Sequence, residues 1–251
     1  MTKFVVNAGW DHVPHLSAEQ KTEQLALIQP FQREARSKGI PTLGAGAIYP
    51  VPEDAIVCDP FLIPDYFEQC YAFDVGWNRT AALWGAHDPN TDIVYLYSEH
   101  YRSEGEPPVH AAAVRARGTW IPGVIDPAAR NRAQKDGEKL MVTYQGLGLD
   151  TLTASDNELE SGIYECWIRL STGRMKVFRT LSNWLAEFRF YQRDDKGRIK
   201  DGQADHLMDC MRYIVLSGLK RAIVRPASLW RTRAPGNQNA YDYDPLAQSR
   251  S

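Results

Sequence analysis

The sequence predicts an α/β protein whose central mixed β-sheet, an antiparallel meander extended by parallel strands, is flanked by helices. Three observations predict it. Strand-like runs at Tyr71 to Trp77, Thr80 to His87 and Ile93 to His100, joined by "VGWNR" and "DPNTD", read as consecutive antiparallel strands. A helix from about Pro107 to Gly118 then leads into the short apolar "IPGVID", and another from about Arg132 to Gly146 leads into "LDTLTA". That alternation is the β-α-β signature. Finally, 251 residues that are 43% hydrophobic and 24% charged suffice for one large domain, or a medium one with appendages, around a sizeable core.

The remaining elements follow in chain order. Between Asp11 and Pro52 one helix begins at the Ser17 cap and a second at Pro30, before Gly39 and a Gly/Pro-rich exit; this stretch reads as an arm or linker. Asn157 to Leu170 is an amphipathic helix with Leu159, Ile163, Cys166, Trp167 and Leu170 on one side, and "GRMKVF" an edge strand. The segment "RFYQRDDKGRIKDGQ" is polar, with "DDKGR" as a hairpin tip. A last helix runs from about Ala204 to Lys220, and from Pro226 the chain is rich in Arg, Pro, Asn and Asp. The expected organisation is an arm over 1–60, a catalytic domain over 61–222 and a flexible basic tail over 223–251.

Net charge is only −2, so no global field attracts nucleic acid and local patches must carry any such binding. The four cysteines, Cys58, Cys70, Cys166 and Cys210, lie far apart without Cys-x-x-Cys spacing, which disfavours a zinc site or a disulfide framework. No run of eighteen apolar residues occurs and the first residues lack a signal-peptide pattern, so the expectation is a soluble, unexported protein with no membrane partner.

Three acids carry the chemistry. Asp74 ends the first strand of the meander, Asp126 ends "IPGVID", and Asp209 lies on the last helix. A carboxylate at the end of a core strand is costly unless something cationic faces it. Three carboxylates at one sheet edge raise one another's pKa unless metal compensates, and hard oxygen ligands choose Mg²⁺ or Mn²⁺. The fitting chemistry is two-metal hydrolysis of a phosphodiester, with Asp74 as bridging ligand. On the last helix, "ADHLMDCMRY" puts Asp205, His206 and Asp209 within reach of one face. Asp209 is the favoured ligand, Asp205 its rival and His206 a supporting or general acid/base group. Other roles stay open: Asp74 beginning a turn, and Asp126 and Asp205 as helix caps.

The order "YAFDVGW", "GVIDPAAR", "DHLMDCMRY" resembles the nuclease domain of the terminase large subunit of tailed bacteriophages, in the RNase H-like (retroviral integrase) superfamily. In that family the first strand ends in Asp with Gly two residues on, the fourth strand ends in Asp or Glu, and the last helix begins Asp-His-x-x-Asp-Ala-x-Arg-Tyr. Asp74 and Gly76 match the first and Asp126 the second. The third matches from Asp205 to Tyr213, with Cys210 where alanine is usual. Residues 8 to 50 also resemble the segment that links the packaging ATPase to the nuclease. The resemblance therefore covers roughly residues 8 to 218.

It implies a metal-dependent endonuclease that cuts concatemeric double-stranded DNA with little sequence specificity in the host bacterial cytoplasm. The implied partners are the portal protein, the small terminase subunit and the ATPase domain of the full-length chain. No Gly-x-x-x-x-Gly-Lys-Ser/Thr occurs, so no ATP hydrolysis is expected, and the chain reads as a fragment of the longer protein or a stand-alone nuclease. Arg130, Arg132 and Lys135 after Asp126, and Arg193, Lys196, Arg198 and Lys200 on the hairpin, are the expected phosphate contacts. "KRAIVRPASLWRTR" is a basic segment suited to docking or DNA. The competing readings are a junction resolvase or transposase-like enzyme of the same fold, and a catalytically silent docking module.

Overall fold

A computed structural model describes residues 9–10, 17–27, 37, 46–126, 136–194 and 196–229, with the backbone alone for 136–139. The chain divides into two compact units, residues 1–50 with 192–201 and residues 51–191 with 202–251.

In the first unit, α1 (Ala18–Leu27) starts where Ser17 and Gln20 form a reciprocal cap. The Gln20 amide donates to Ser17 Oγ at 3.2 Å and the Ser17 amide to Gln20 Oε1 at 3.0 Å. The hairpin anticipated at "DDKGR" is present: Arg193 bridges Ile199, and the Asp194 amide donates to the Arg198 carbonyl at 2.7 Å. Asp194 Oδ1 accepts from the Lys196 and Arg198 amides, which closes the tip locally.

The second unit is the sheet domain. Its elements in order are α2 (Glu53–Ile56), β1 (Val57–Cys58), β2 (Glu68–Val75), β3 (Thr80–Asp88), β4 (Ile93–Arg102), α3 (Pro107–Arg115) and β5 (Gly123–Ile125). There follow α4 (Asp136–Gly146), β6 (Leu152–Ala154), α5 (Leu159–Ser171), β7 (Met175–Phe178), α6 (Ser182–Phe190) and α7 (His206–Tyr213), which continues as a π-helical stretch, Ile214–Gly218. The sheet order is β1-β7-β4-β3-β2-β5-β6. The meander β2-β3-β4 is antiparallel; β5 and β6 extend it on one side and β7 and β1 on the other, all in parallel pairs. This is the RNase H-like α/β architecture.

Two sequence expectations are corrected. "GRMKVF" is no edge strand, because β7 lies between β4 and β1; the outer strand is only two residues long, too short to leave a periodic signal. In α5, Ile163, Cys166 and Leu170 are buried, whereas Trp167 is only partly covered and Leu159, at the helix start, is exposed.

Strand alternation gives the sheet two different faces. One carries large side chains, Tyr71, Phe73, Trp84 and Ile125, which form a core with Ala111 and Val114 of α3 and Tyr144 of α4. Tyr71 leaves no room for a Cβ at its neighbour Gly123, where one would sit 2.1 Å from the ring. The other face has small residues under α7. Cys210 Sγ meets the Ala81 carbonyl at 3.6 Å, and a Cβ on Gly85 would stand 3.3 Å from Ile214. The closing helix thus lies close against β2 and β3, near the strand end that carries Asp74.

The end of β4 and the start of α3 share an imidazole pair, His100 half-buried and His110 buried. His110 Nε2–H donates to the Gly105 carbonyl at 2.9 Å, so its Nδ1 accepts from His100 Nε2–H, also at 2.9 Å. Burial first, then His110, Arg117 and Arg102, push His100 down to about 4. His110 is lowered by burial and Arg102 against the carbonyl bond. Both rings are therefore neutral in the folded chain, whereas an unfolded histidine titrates near 6.5. Above about pH 6.5 the pair's contribution is fully present. Below it the unfolded chain takes up protons that folded His100 takes up only near pH 4, so stability falls across that window. In urea titrations, we expect wild type to lose on the order of 2 kcal/mol more than His100→Gln between about pH 6.5 and 4.5, allowing for the ring's partial exposure. Parallel pH profiles for the two proteins would refute it.

Candidate active site

Asp74 is the last but one residue of β2, inside the strand and opposite Ala81, rather than the start of a turn. Its side chain is only 16% exposed, and the cation anticipated for it is His206, whose Nδ1 stands 2.7 Å from Asp74 Oδ2. That bond, chiefly, raises the His206 pKa against the effect of burial. Asp126 directly follows β5. Phe73 pairs with Ile125 in parallel register and the Asp126 amide donates to the Phe73 carbonyl at 3.2 Å, so Asp74 and Asp126 stand side by side on adjacent strands.

The third acid comes from α7. Asp209 lies one turn beyond His206 and accepts from Arg212 Nη2 at 2.9 Å. Arg212 is 3% exposed and also donates to Asn157 at 2.6 Å, while its ring neighbour Tyr213 lies 4.7 Å from the guanidinium. Gly162 makes the room, since a Cβ there would approach Arg212 Cγ to 2.5 Å. Burial raises Asp209 first; Arg212 opposes this, and the charges of Asp74 and Asp126 push in the same direction as burial. Asp205 is pushed up to about 6, by burial and then by the charge of Asp209, with Glu187 and Asp74 adding and His206 opposing. These carboxylates therefore share one electrostatic field. Among the described residues no group of three or more His, Cys, Asp or Glu side chains is gathered tightly enough to hold a metal ion as it stands.

Glu187 of α6 is the residue that sequence reasoning missed. It is 4% exposed, and its Oε2 accepts from the amides of Leu207 at 2.6 Å and Met208 at 3.3 Å, while Oε1 accepts from the Tyr101 hydroxyl at 2.6 Å. It thus caps α7 from a different helix. Asp205 occupies the N-cap position, yet its side chain makes no capping bond, which corrects the cap reading of that residue. Burial raises the Glu187 pKa against those hydrogen bonds. The only sequence signal was one acid within the apolar run "NWLAEFRF".

The expected phosphate contacts divide. Arg130, Arg132 and Lys135 lie outside the described residues. Arg193, Lys196, Arg198 and Lys200 belong to the hairpin of the first unit, where Arg198 is paired to Asp194 at 2.9 Å and Arg193 donates to the Gly197 carbonyl at 2.7 Å. Lys196 and Lys200 are exposed.

No protein-family model matches the chain. It is 34% identical over 226 residues to the terminase large subunit of Enterobacteria phage LP7, covering 86% of this chain and 47% of that protein. It is 35% identical over 218 residues to the terminase large subunit of Salmonella phage P22, covering 83% and 43%. The chain thus spans about half the length of the curated relatives it matches. The solved nuclease domain of the P22 large terminase superimposes with a TM-score of 0.67 and 31% identity, covering 73% of this chain and 97% of that domain. A mixed sheet with acids at the ends of neighbouring strands, closed by an acidic helix, defines an RNase H-like domain of the nuclease type. Within that class, the chain belongs to the nuclease-domain family of phage terminase large subunits.

Proposed function

We propose that the chain is a metal-dependent endonuclease of viral DNA packaging that cuts concatemeric double-stranded DNA with little sequence specificity. The observation that carries this reading is the convergence of acids from three elements: Asp74 and Asp126 end paired neighbouring strands, and α7, which carries Asp209, is seated on Asp74 through His206 at 2.7 Å. The donor set suits a hard divalent cation, because Asp74, Asp126 and Asp209 offer only carboxylate oxygens, with Asp205 the alternative third donor. Mg²⁺ or Mn²⁺ held there, as a pair, would supply positive charge at the reacting phosphate.

The chain's own residues do the rest. Arg212 fixes the Asp209 carboxylate, and His206 holds a proton at Nδ1 toward Asp74 and leaves Nε2 for acid/base work. Hairpin cations, with Arg130, Arg132 and Lys135, are proposed to bind backbone phosphates. The motor domain, small subunit and portal protein are the proposed partners, the last through the tail over 223–251, in the host cytoplasm. Among the described residues no helix is long and apolar enough to cross a membrane.

The test is incubation of the purified chain with unrelated supercoiled plasmids in Mn²⁺, Mg²⁺ or EDTA. Divalent-dependent nicking and linearisation, similar on each plasmid, is the expected result. A folded chain that cuts nothing in either metal refutes the reading.

A further inference from the structure

The cations of the second unit that lie beside the acidic cluster are not equivalent. Arg212 is occupied by Asp209 and Asn157, and His206 by Asp74. Arg79, in the turn between β2 and β3, makes neither ion pair nor side-chain hydrogen bond among the described residues; its guanidinium instead lies 4.4 Å above the Tyr101 ring. A guanidinium stacked in this way still presents its N–H groups around the edge, in the fork that matches two phosphate oxygens.

The support for this arginine is rigid from below and from behind. Tyr101 donates its hydroxyl to the buried Glu187, so the ring under Arg79 is locked in place. The turn is equally tight. Thr80 Oγ1 donates to the Gly76 carbonyl at 2.9 Å and the Glu104 amide to the Trp77 carbonyl at 3.1 Å. A Cβ on Gly76 would come within 2.9 Å of the Arg79 carbonyl.

Position completes the argument. Tyr101 lies opposite Ala81 on β4, and Ala81 lies opposite Asp74 on β2, so the three share one row and one face of the sheet. The Tyr101 ring is 6.4 Å from that of His206. Arg79 therefore borders the carboxylates without being neutralised by one. A polyanion approaching a cluster of acids needs such a cation at its edge.

We propose that Arg79 is a phosphate-binding residue of the active site, stacked on Tyr101 and aimed at a DNA backbone phosphate adjacent to the carboxylates. This rests on the nuclease reading above. The aromatic platform fixes the guanidinium before substrate arrives, so no side-chain ordering is needed on binding. Its contact is with the sugar-phosphate backbone and is blind to sequence.

The experiment is fluorescence anisotropy of a labelled duplex of about 20 base pairs, in EDTA so that nothing is cut, across roughly 50 to 200 mM KCl. Relative to wild type, Arg79→Ala is expected to lower the slope of log K against log salt by about one and to weaken binding alike on unrelated sequences. Arg79→Lys should keep the slope but lose part of the cleavage rate through KM, because a point charge replaces the fork. Tyr101→Phe keeps the ring but loses the hydroxyl bond that locks it, so it should bind between wild type and Arg79→Ala, whereas Tyr101→Leu should behave like Arg79→Ala. Thermal melts confirm that each variant is folded. If wild type binds and cuts while folded Arg79→Ala shows an unchanged salt slope and affinity, the proposal alone is overturned. If wild type neither binds nor cuts DNA, the nuclease reading falls and this one with it.

Discussion

Asp74→Asn is expected to reduce DNA cleavage by roughly 10³-fold or more while leaving the fold intact. Asparagine matches the carboxylate in size and can still accept at Oδ1, so strand pairing with Ala81 and the contact with His206 can persist in neutral form. What disappears is the charge on which metal binding and the His206 proton both depend. The pH signature has a definite sign. The His206 pKa is raised in the folded chain, mainly by the Asp74 bond, so the pair stabilises fully below about pH 6.5 and loses that contribution as pH rises through the folded value. Asp74→Asn should therefore cost stability at acid pH and little at pH 8, where it also relieves repulsion with Asp209 and Asp205. Asp126→Asn should lose activity to the same extent without the histidine-linked pH effect. Plasmid nicking and melting curves from about pH 5 to 8 check both, and cleavage within tenfold of wild type in either variant would remove the acids from the mechanism.

Glu187→Ala is expected to damage both stability and activity, at a site that never touches substrate. Its removal leaves the Leu207 and Met208 amides and the Tyr101 hydroxyl buried without the acceptor they share. An orphaned buried donor costs about 1–3 kcal/mol, so a loss of about 3 kcal/mol in chemical denaturation is the expected scale. The nearest replacement acceptor in sequence is Asp205, already at the N-cap position with no capping bond to break. Drawn onto the helix start, its carboxylate would leave the cluster, and kcat should fall about 10²-fold. Because both routes remove the same group, Glu187→Ala combined with Asp205→Ala should lower kcat little further than either alone. Glu187→Gln keeps one carbonyl for the amides and should recover most of the stability. Full additivity in kcat would mean that Glu187 acts only on the fold.

Much of the sheet was legible because its centre follows simple rules. Asp88 illustrates this: its carboxylate takes the Asn90 amide at 3.0 Å and the Thr91 hydroxyl at 2.7 Å, the local turn chemistry that "DPNTD" announces. The helices after β4 and β5 could likewise be read from apolar spacing, as could the positions of Asp74 and Asp126 at strand ends and of Asp209 on the closing helix. Features set by tertiary context could not be read. The strand Val57–Cys58 is shorter than any period, and in the nine-residue α6 the acid Glu187 is buried beside Trp184, Leu185 and Phe188, which blurs the apolar stripe. Glu187 gains its meaning only when Leu207 is brought beside it from 20 residues away. Nothing in the local sequence around Arg79 shows that Tyr101, from another strand, lies beneath it.

The widened turn at Ile214–Gly218 gives the closing helix two bearings instead of one. Upstream, the rod is indexed against the sheet by His206 on Asp74 and Cys210 on the Ala81 carbonyl; downstream, Ser217 Oγ accepts the Asp156 amide at 2.8 Å and Gly218 nestles under Cys70, where a Cβ would lie 3.1 Å from the sulfur. A regular helix would have to satisfy both stations with a single phase angle. The extra residue per turn acts as a vernier between them, so substitutions that shift the downstream seat can be absorbed in the wide coil before they rotate Asp209.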